Sequence, residues 1–522
     1  MSKHSDQTMD MSQRLSIYQP LMGQHWDQFC QMIQEPLPQT FWINPQRTSI
    51  DAIKSSFSAS KIDLMDIPWI PGAFRLKAKS SFKDKSDKLG RRFEYRTGQL
   101  HLQEEVSMLP VLALNPQKDE SILDLCAAPG GKTAQIALMM AGQGTVIAND
   151  KSFGRLRALR STQERLGLFN LALSAQDGQD LWPKSRGVFD RVLADVPCSC
   201  EGTVRKTGTL GYEQEDSTYR KHLHQTQKQL LLQALQLVKI GGTVVYSTCT
   251  FDPDENEAVL AYVFQKYGDL IELVPMDFPG LVYEKGLSSW QGQHYGVDLS
   301  LAMRIYPHHN DTGGFFIACL RKKGDLPTVI SKTSIPSEDD FHVVPKESLS
   351  RLLGQDQRQQ LFDQLFKRYE IAREDLEGFH YYQNTSRYIS AISKNHRVLG
   401  GALQTADQTT HEAHLEASGV PIVNVSGHTI QLTSASAMAF APIIHKQYIQ
   451  LESQEQVDLY YQGGSFELSK NQKVGGTGTT VVKYGKFAIG MAMIKEIDGK
   501  VEVQSNYPKA SQLALHASAY EH

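Results

Sequence analysis

Asp124-Leu125-Cys126-Ala127-Ala128-Pro129-Gly130-Gly131-Lys132-Thr133 decides the fold of this chain. Ser121–Leu125 before it reads as a buried strand, and Thr133–Ala141 after it reads as a helix. The turn between them is small and glycine-rich, so its backbone can approach a ligand closely at the amino end of a helix. The alternation continues outward from there. Strands are predicted over Thr145–Asn149, Asn170–Ser174, Phe189–Val196 and Gly242–Tyr246, with a basic helix over Gly154–Leu166 and a long amphipathic helix over Lys221–Val238. Gly313–Leu320 reads as a last, antiparallel strand. Such alternation implies an α/β fold with a parallel sheet covered on both faces.

Three nucleotide-binding readings compete for the glycine turn. A Walker A loop would need glycine at position 126, which is Cys, and the Gly-x-Gly-x-x-Gly pattern is also absent. An S-adenosylmethionine site needs no pyrophosphate cradle, so a looser turn suffices. Asp150 ends the second strand, where a carboxylate can take two ribose hydroxyls. Asp177 follows the third strand and is placed to meet the adenine. Alone, either aspartate reads as a turn or cap residue; as a series after consecutive strands they read as ligands.

Two cysteines sit at predicted strand ends, Cys198 in Asp195-Val196-Pro197-Cys198 and Cys249 in Ser247-Thr248-Cys249-Thr250. The carboxyl ends of strands are where open α/β sheets bind and transform ligands. A thiolate there is a strong nucleophile, and a second thiol facing the same crevice suggests an assistant. Cys30, Cys126, Cys200 and Cys319 read as packing residues rather than catalysts, with Cys126 in the ligand loop. The chain has no Cys-x-x-Cys pair, so no metal site is expected despite Cys198-Ser199-Cys200. His411-Glu412-Ala413-His414 is one residue short of a zinc-protease motif and reads as an exposed helix face, while His222 and His224 show no partner pattern.

Leu125–Thr133, Asp195–Cys198 and Ser247–Thr250 resemble the signature blocks of the RNA (cytosine-5) methyltransferases, over a match from about Gln103 to Lys322. The resemblance implies a Rossmann-like class I methyltransferase domain. It also implies that Cys126, Ala127, Ala128, Pro129, Gly130, Gly131, Lys132, Asp150, Asp177 and Asp195 bind S-adenosylmethionine. Cys249 is then the nucleophile that adds to C6 of cytosine, and Cys198 is the thiol that assists product release. Asp195 would hydrogen-bond N3 and the exocyclic amine. A basic neighbourhood is expected to lower the Cys249 pKa.

At 522 residues the chain needs several domains. The expected division is 1–106, an α/β RNA-binding extension; 107–324, the catalytic domain; 325–340, a linker; 341–427, a mixed connecting domain; and 428–522, a PUA-like β-barrel module. The last rests on resemblance of the Val481–Gly490 and Asn506–Lys509 stretches, within a Gly-rich region from Val457 read as short β runs. This layout resembles the bacterial ribosomal RNA small subunit methyltransferase F group, which implies 16S rRNA within the small subunit as partner, methylated at position 1407.

Composition is ordinary for a globular protein, with 40% hydrophobic and 21% charged residues and a net charge of -3. Between Arg75 and Arg96, however, nine Lys/Arg face three acids and are interleaved with Phe74, Phe82, Phe93 and Tyr95. That stretch carries +6 and leaves -9 for the rest. With Lys151, Arg155, Arg157, Arg160 and Arg165 it suggests phosphate contact. Six scattered cysteines, a polar start and the lack of a long apolar run lead to the expectation of a cytoplasmic monomer with no membrane partner.

Overall fold

The structure, a computed structural model, describes residues 11–507 apart from 78–88, 182–185, 211–216, 328–350, 400–401, 405–409, 413–414, 416, 428, 470–477 and 498–499. Its centre is one mixed sheet. In chain order the elements are β1 (Ser121–Asp124), α1 (Gly131–Met139), β2 (Thr145–Asn149), α2 (Phe153–Leu166) and β3 (Leu171–Ser174). They continue as β4 (Phe189–Asp195), α3 (Ser217–Leu237), β5 (Val238–Thr248), α4 (Glu257–Tyr267), β6 (Ile271–Val274) and β7 (Phe315–Lys322). The strands run in the order β3-β2-β1-β4-β5-β7-β6, the first five parallel, β7 antiparallel to β5 and β6 antiparallel to β7.

Period-two alternation explains the two covering layers. Leu123, Ile147, Val192, Ala194, Val244 and Tyr246 face one side and pack with Leu231 and Leu235 of α3 and Val259 of α4. Their chain neighbours Ile122, Val146, Ala148, Leu193 and Val245 face the other and pack with Ile136 of α1 and Leu156 and Leu159 of α2. Most of these side chains are fully buried, the Val, Leu and Ile among them each contributing about 1.5–3 kcal/mol of hydrophobic stabilisation. Strand order reverses between β1 and β4, so the crevice for a ligand lies at their carboxyl ends.

The expected strands are all present. β5 is longer than expected, reaching back to Val238 through Gly241 and Gly242. The amino-terminal segment folds as an antiparallel sheet in the order Leu64–Asp66, Ala73–Leu76, Thr40–Ile43, Leu100–Leu102, against the helix Ile50–Ala59, which Ser49 caps by accepting from the Ala52 amide.

Beyond residue 350 the described residues build two five-stranded sheets and, within the sequence span of the first, one three-stranded sheet. In the first, Val420–Ser426 pairs antiparallel with Thr429–Leu432, one strand on each side of the expected 427/428 division. The second runs Tyr448–Leu451, Gly478–Tyr484, Phe487–Ile497, Lys500–Ser505, Ser465–Glu467, and one core joins Leu365 and Tyr381 of the first unit to Val481 and Met491 of the second. No pairing closes its two ends among the described residues. The expected β stretch from Val457 begins instead in a helix, Gln454–Tyr461, whose Val457, Tyr460 and Tyr461 are buried at helical spacing. His411 and Glu412 lie in a strand, Thr410–Glu412, rather than on a helix face; Ala413 and His414 lie outside the described residues. Ala417–Ser418 extends the central sheet antiparallel to β3. Among the described residues no helix is long and apolar enough to cross a membrane.

Candidate active site

The turn after β1 is held tightly from both sides. Gly130 has φ +111°, and a Cβ there would fall 2.4 Å from Leu159 Cδ1, so only glycine lets α1 start against α2. Thr133 Oγ1 donates to Asp124 Oδ2 at 2.6 Å, which ties the first turn of α1 to the end of β1. Asp124 Oδ1 is buried without a hydrogen-bond partner, and burial pushes the Asp124 carboxyl up to about 7.

Asp150, just past β2, accepts from the Ala128 amide at 3.2 Å and the Ser152 amide at 2.9 Å. Arg155 pairs with it at 3.2 Å and donates to the Ala128 carbonyl at 2.7 Å. Asp177 pairs with exposed Lys151 at 2.7 Å. Desolvation works to raise Asp177, but its bonds from Lys151 and Gln179 outweigh that and hold it low.

Asp195 closes β4, where it stands in register with Ser247 of β5. One carboxylate oxygen takes Lys132 Nζ at 2.8 Å and the other takes Ser247 Oγ at 2.7 Å. Three residues on, Cys198 Sγ lies 3.4 Å from Cys249 Sγ and 3.8 Å from Cys200 Sγ.

The loops that carry the thiols are braced by buried polar groups. Glu255 takes the Ser199 amide and Gln227 Nε2, and Gln227 also holds the Pro197 carbonyl. Glu201 takes Tyr18 Oη and Thr250 Oγ1. The Gly202 amide donates to the Cys249 carbonyl at 2.8 Å, in a passage so close to Gly314 that a Cβ on Gly202 would fall 2.3 Å from its carbonyl oxygen.

Bonds from Cys200 and Cys249, then burial, hold the Cys198 thiol well above its ordinary value. Cys249 gains a lowering bond from Cys198, but the Cys200 bond and charge, with burial, leave it raised as well. Cys200 is the thiol pulled down, by its bonds from Cys198 and Cys249. The expectation of a lowered Cys249 is therefore corrected. The Lys132 ammonium is already paired with Asp195, and the three thiols interact directly with one another.

Every candidate residue, from Cys126 through Lys132 to Asp150, Asp177, Asp195, Cys198 and Cys249, lines one cavity of about 1450 Å³. That exceeds the roughly 300–1000 Å³ of an ordinary small-ligand pocket and leaves room for a cofactor beside a second group. The orphaned Asp124 oxygen and the carboxylates of Asp150 and Asp177 supply the acceptors a ribose and an amine need. The residues present thus fit S-adenosylmethionine.

Four of the basic residues turn inward, while Lys151, Arg155, Arg157 and Arg160 stay exposed. Arg75 pairs with Glu105, Arg92 with Glu94, and Arg96 covers the Tyr461 ring. Arg165 donates to the Tyr95 carbonyl and to His101, joining α2 to the amino-terminal sheet. Phe74 is buried, and Phe93 packs edge-on against Tyr484 and Phe487. Arg75, which also donates to the Asn310 carbonyl, and Arg165 tie the amino-terminal segment to the centre, whereas Arg96 and Phe93 tie it to the carboxyl-terminal unit. Lys79, Phe82, Lys83, Lys85 and Lys88 lie outside the described residues. Sequence reasoning missed Asp124 and the membership of Cys200 in the thiol cluster; the only signal for the latter was its spacing from Cys198.

The family described as "16S rRNA methyltransferase RsmB/F" matches residues 111–321. A tRNA (cytosine(49)-C(5))-methyltransferase of Pyrococcus abyssi is 35% identical over 57% of this chain and 92% of its own length. A ribosomal RNA small subunit methyltransferase F of Vibrio vulnificus is 35% identical over 57% of this chain and 60% of its own. A mouse 28S rRNA (cytosine-C(5))-methyltransferase is 38% identical over 50% of this chain, which spans only 34% of that relative. Among solved structures, a methyltransferase homolog from Pyrococcus horikoshii is 29% identical with a TM-score of 0.50, covering 61% of this chain and 99% of that one. With nine-tenths of the Pyrococcus abyssi relative spanned, and with the paired thiols and carboxylates gathered at one sheet edge, this chain belongs to the S-adenosylmethionine-dependent RNA (cytosine-C5) methyltransferase family.

Proposed function

We propose that this protein methylates C5 of one cytidine in 16S rRNA, the decoding-region position 1407 that the sequence resemblance implies, through a covalent bond between Cys249 and C6. The observation that carries the reading is the 3.4 Å approach of Cys198 and Cys249, with the Asp195 carboxylate on the same sheet edge.

C5 of cytosine is a poor nucleophile. Addition of the Cys249 thiolate to C6 makes the ring enamine-like and concentrates electron density at C5. Asp195 accepts from the exocyclic amine and, as N3 takes a proton to offset the negative charge left by thiolate addition, from N3–H, holding the adduct in its neutral enamine form. Lys132 and Ser247 fix that carboxylate from both sides. Cys198, already beside Cys249, assists loss of the C5 proton and release of the thiol. S-adenosylmethionine, held by Cys126–Lys132, Asp150 and Asp177, supplies an electrophilic methyl group when bound.

A base must leave its stack to reach this chemistry. The cavity wall includes Gln39 and His101 from the amino-terminal segment and Met438 and Ile489 from the carboxyl-terminal one, so both flanks stand where they can grip the surrounding RNA. In this reading the carboxyl-terminal sheet is a PUA-like module, and the protein works as a cytoplasmic monomer on the small subunit.

A second reading, transfer to tRNA, is favoured by the 92% coverage of the Pyrococcus abyssi relative. Transfer from labelled S-adenosylmethionine to small subunits, protein-free 16S rRNA, 23S rRNA and tRNA separates these readings. Label at one 16S cytosine supports the first. Label on tRNA or 23S rRNA keeps the thiol chemistry and replaces the substrate. RNA binding without label on any of them leaves a non-catalytic assembly factor.

A further inference from the structure

Cys200 takes no part in the chemistry above, yet it completes a cluster of three thiols. Its Sγ is 3.8 Å from Cys198, Cys198 is 3.4 Å from Cys249, and all three sulfurs lie within 4.8 Å of one another. The residue sits at φ +59°, ψ 24°, in the left-handed region where glycine is at ease and other residues incur a cost of about 1–2 kcal/mol. A thiol is thus held in the cluster at a position whose backbone favours no side chain.

Tetrahedral zinc binds thiolate sulfur at about 2.3 Å, which places neighbouring sulfurs about 3.8 Å apart. The 3.8 Å and 3.4 Å separations lie at or below that edge, and the third needs to close by no more than about 1 Å. All three cysteines line the large cavity, so an ion can enter from it and keep its fourth position toward solvent. The pattern is invisible to a Cys-x-x-Cys search because two ligands come from Cys-x-Cys after β4 and the third from the end of β5.

We propose that Cys198, Cys200 and Cys249 form a reversible trithiolate site for a zinc-type divalent cation, and that its occupation silences the enzyme. Binding forms three sulfur–metal bonds and releases the thiol protons to solvent, so the nucleophile and its assistant are both tied up. The silencing rests on the reading of Cys249 as nucleophile; the binding does not.

The test titrates the reduced full-length protein with Co²⁺ in the absence of oxygen. Thiolate-to-cobalt charge-transfer absorption with the visible bands of a tetrahedral ion is expected at one equivalent, and Zn²⁺ should displace it. The nearby cluster of His224, Asp252 and Glu255 offers only nitrogen and oxygen, so it cannot give the sulfur band. Cys200→Ser should lose the band and bind Zn²⁺ on the order of 100-fold more weakly, since even changes behind a ligand cost about 10–100-fold. Cys200→Gly, which suits the left-handed backbone, should do the same and covers the case where the serine variant misfolds. Zn²⁺ should stop methyl transfer by the parent protein, a chelator should restore it, and the Cys200 variants should keep transferring in its presence. A missing sulfur band, or the same band and affinity in the Cys200 variants, would overturn the site. A band that behaves as expected in a protein that methylates none of the four RNA substrates would keep the site and remove the proposed function instead.

Discussion

Cys198 Sγ and Cys249 Sγ stand 3.4 Å apart at the ends of adjacent parallel strands, although 51 positions separate them in the chain. The two thiols have different expected roles, so their substitutions should diverge. Cys249→Ala should lower methyl transfer by about 10⁴-fold or more and leave no RNA adduct. Cys198→Ala should instead accumulate an adduct that survives denaturing electrophoresis. Equal behaviour of the two variants would sink this division of labour.

Because the cluster holds Cys249 above the ordinary thiol value, its thiolate fraction at neutral pH is small. The rate of adduct formation should therefore keep rising with pH through the usual thiol range, without a plateau near neutrality. Single-turnover rates between pH 6 and about 9.5 check this.

Asp195 is predicted to act on the base, and Lys132 to act through Asp195. Asp195→Asn should lower kcat by about 10²–10³-fold, the usual effect of removing one group that stabilises developing charge. Lys132→Met should have a smaller effect on kcat. The double variant should fall short of the product of the single effects, because the two side chains form one pair at 2.8 Å. Multiplicative losses would show that Lys132 acts independently.

Asp124 gives a pH signature in stability. Its folded pKa, about 7, exceeds the ordinary carboxyl value, so the folded state binds its proton more tightly than the unfolded chain. This contribution is fully present below about pH 4 and is lost as pH rises toward 7, by up to roughly 4 kcal/mol. Asp124→Asn should remove that slope, as urea unfolding at pH 5 and pH 8 would reveal. An unchanged slope would mean that the carboxyl is ionised in the folded protein.

Two arginines of α2 separate fastening from RNA contact. Arg165, bound to the Tyr95 carbonyl and His101, should destabilise the fold when changed to Ala. Exposed Arg157 should leave stability within about 0.5 kcal/mol when changed to Ala and reduce the salt dependence of RNA binding by about one charge. Urea unfolding and binding at several salt concentrations provide the readouts.

The sequence alone determined the central sheet and the edge on which the chemistry lies. Strands buried on both faces must be short apolar runs, such as Thr145–Asn149, and their ends are marked by the loops that leave them, so Asp150, Asp195, Cys198 and Cys249 could be placed at one edge by position. Tertiary structure alone decided how those groups meet. The burial of Cys198, its distance to Cys200 and the Lys132–Asp195 pair depend on the turns that follow β1, β4 and β5. The same holds for Arg75 and Arg165, which read in sequence as a basic surface and in the fold as ties between segments. The carboxyl-terminal region was the least legible, because Gln454–Tyr461 offers barely two helical turns and its buried tyrosines suit a strand equally well. Local pattern records which face of an element is apolar; charge pairing and thiol clustering depend on distances between remote residues, which exist only once the chain has packed.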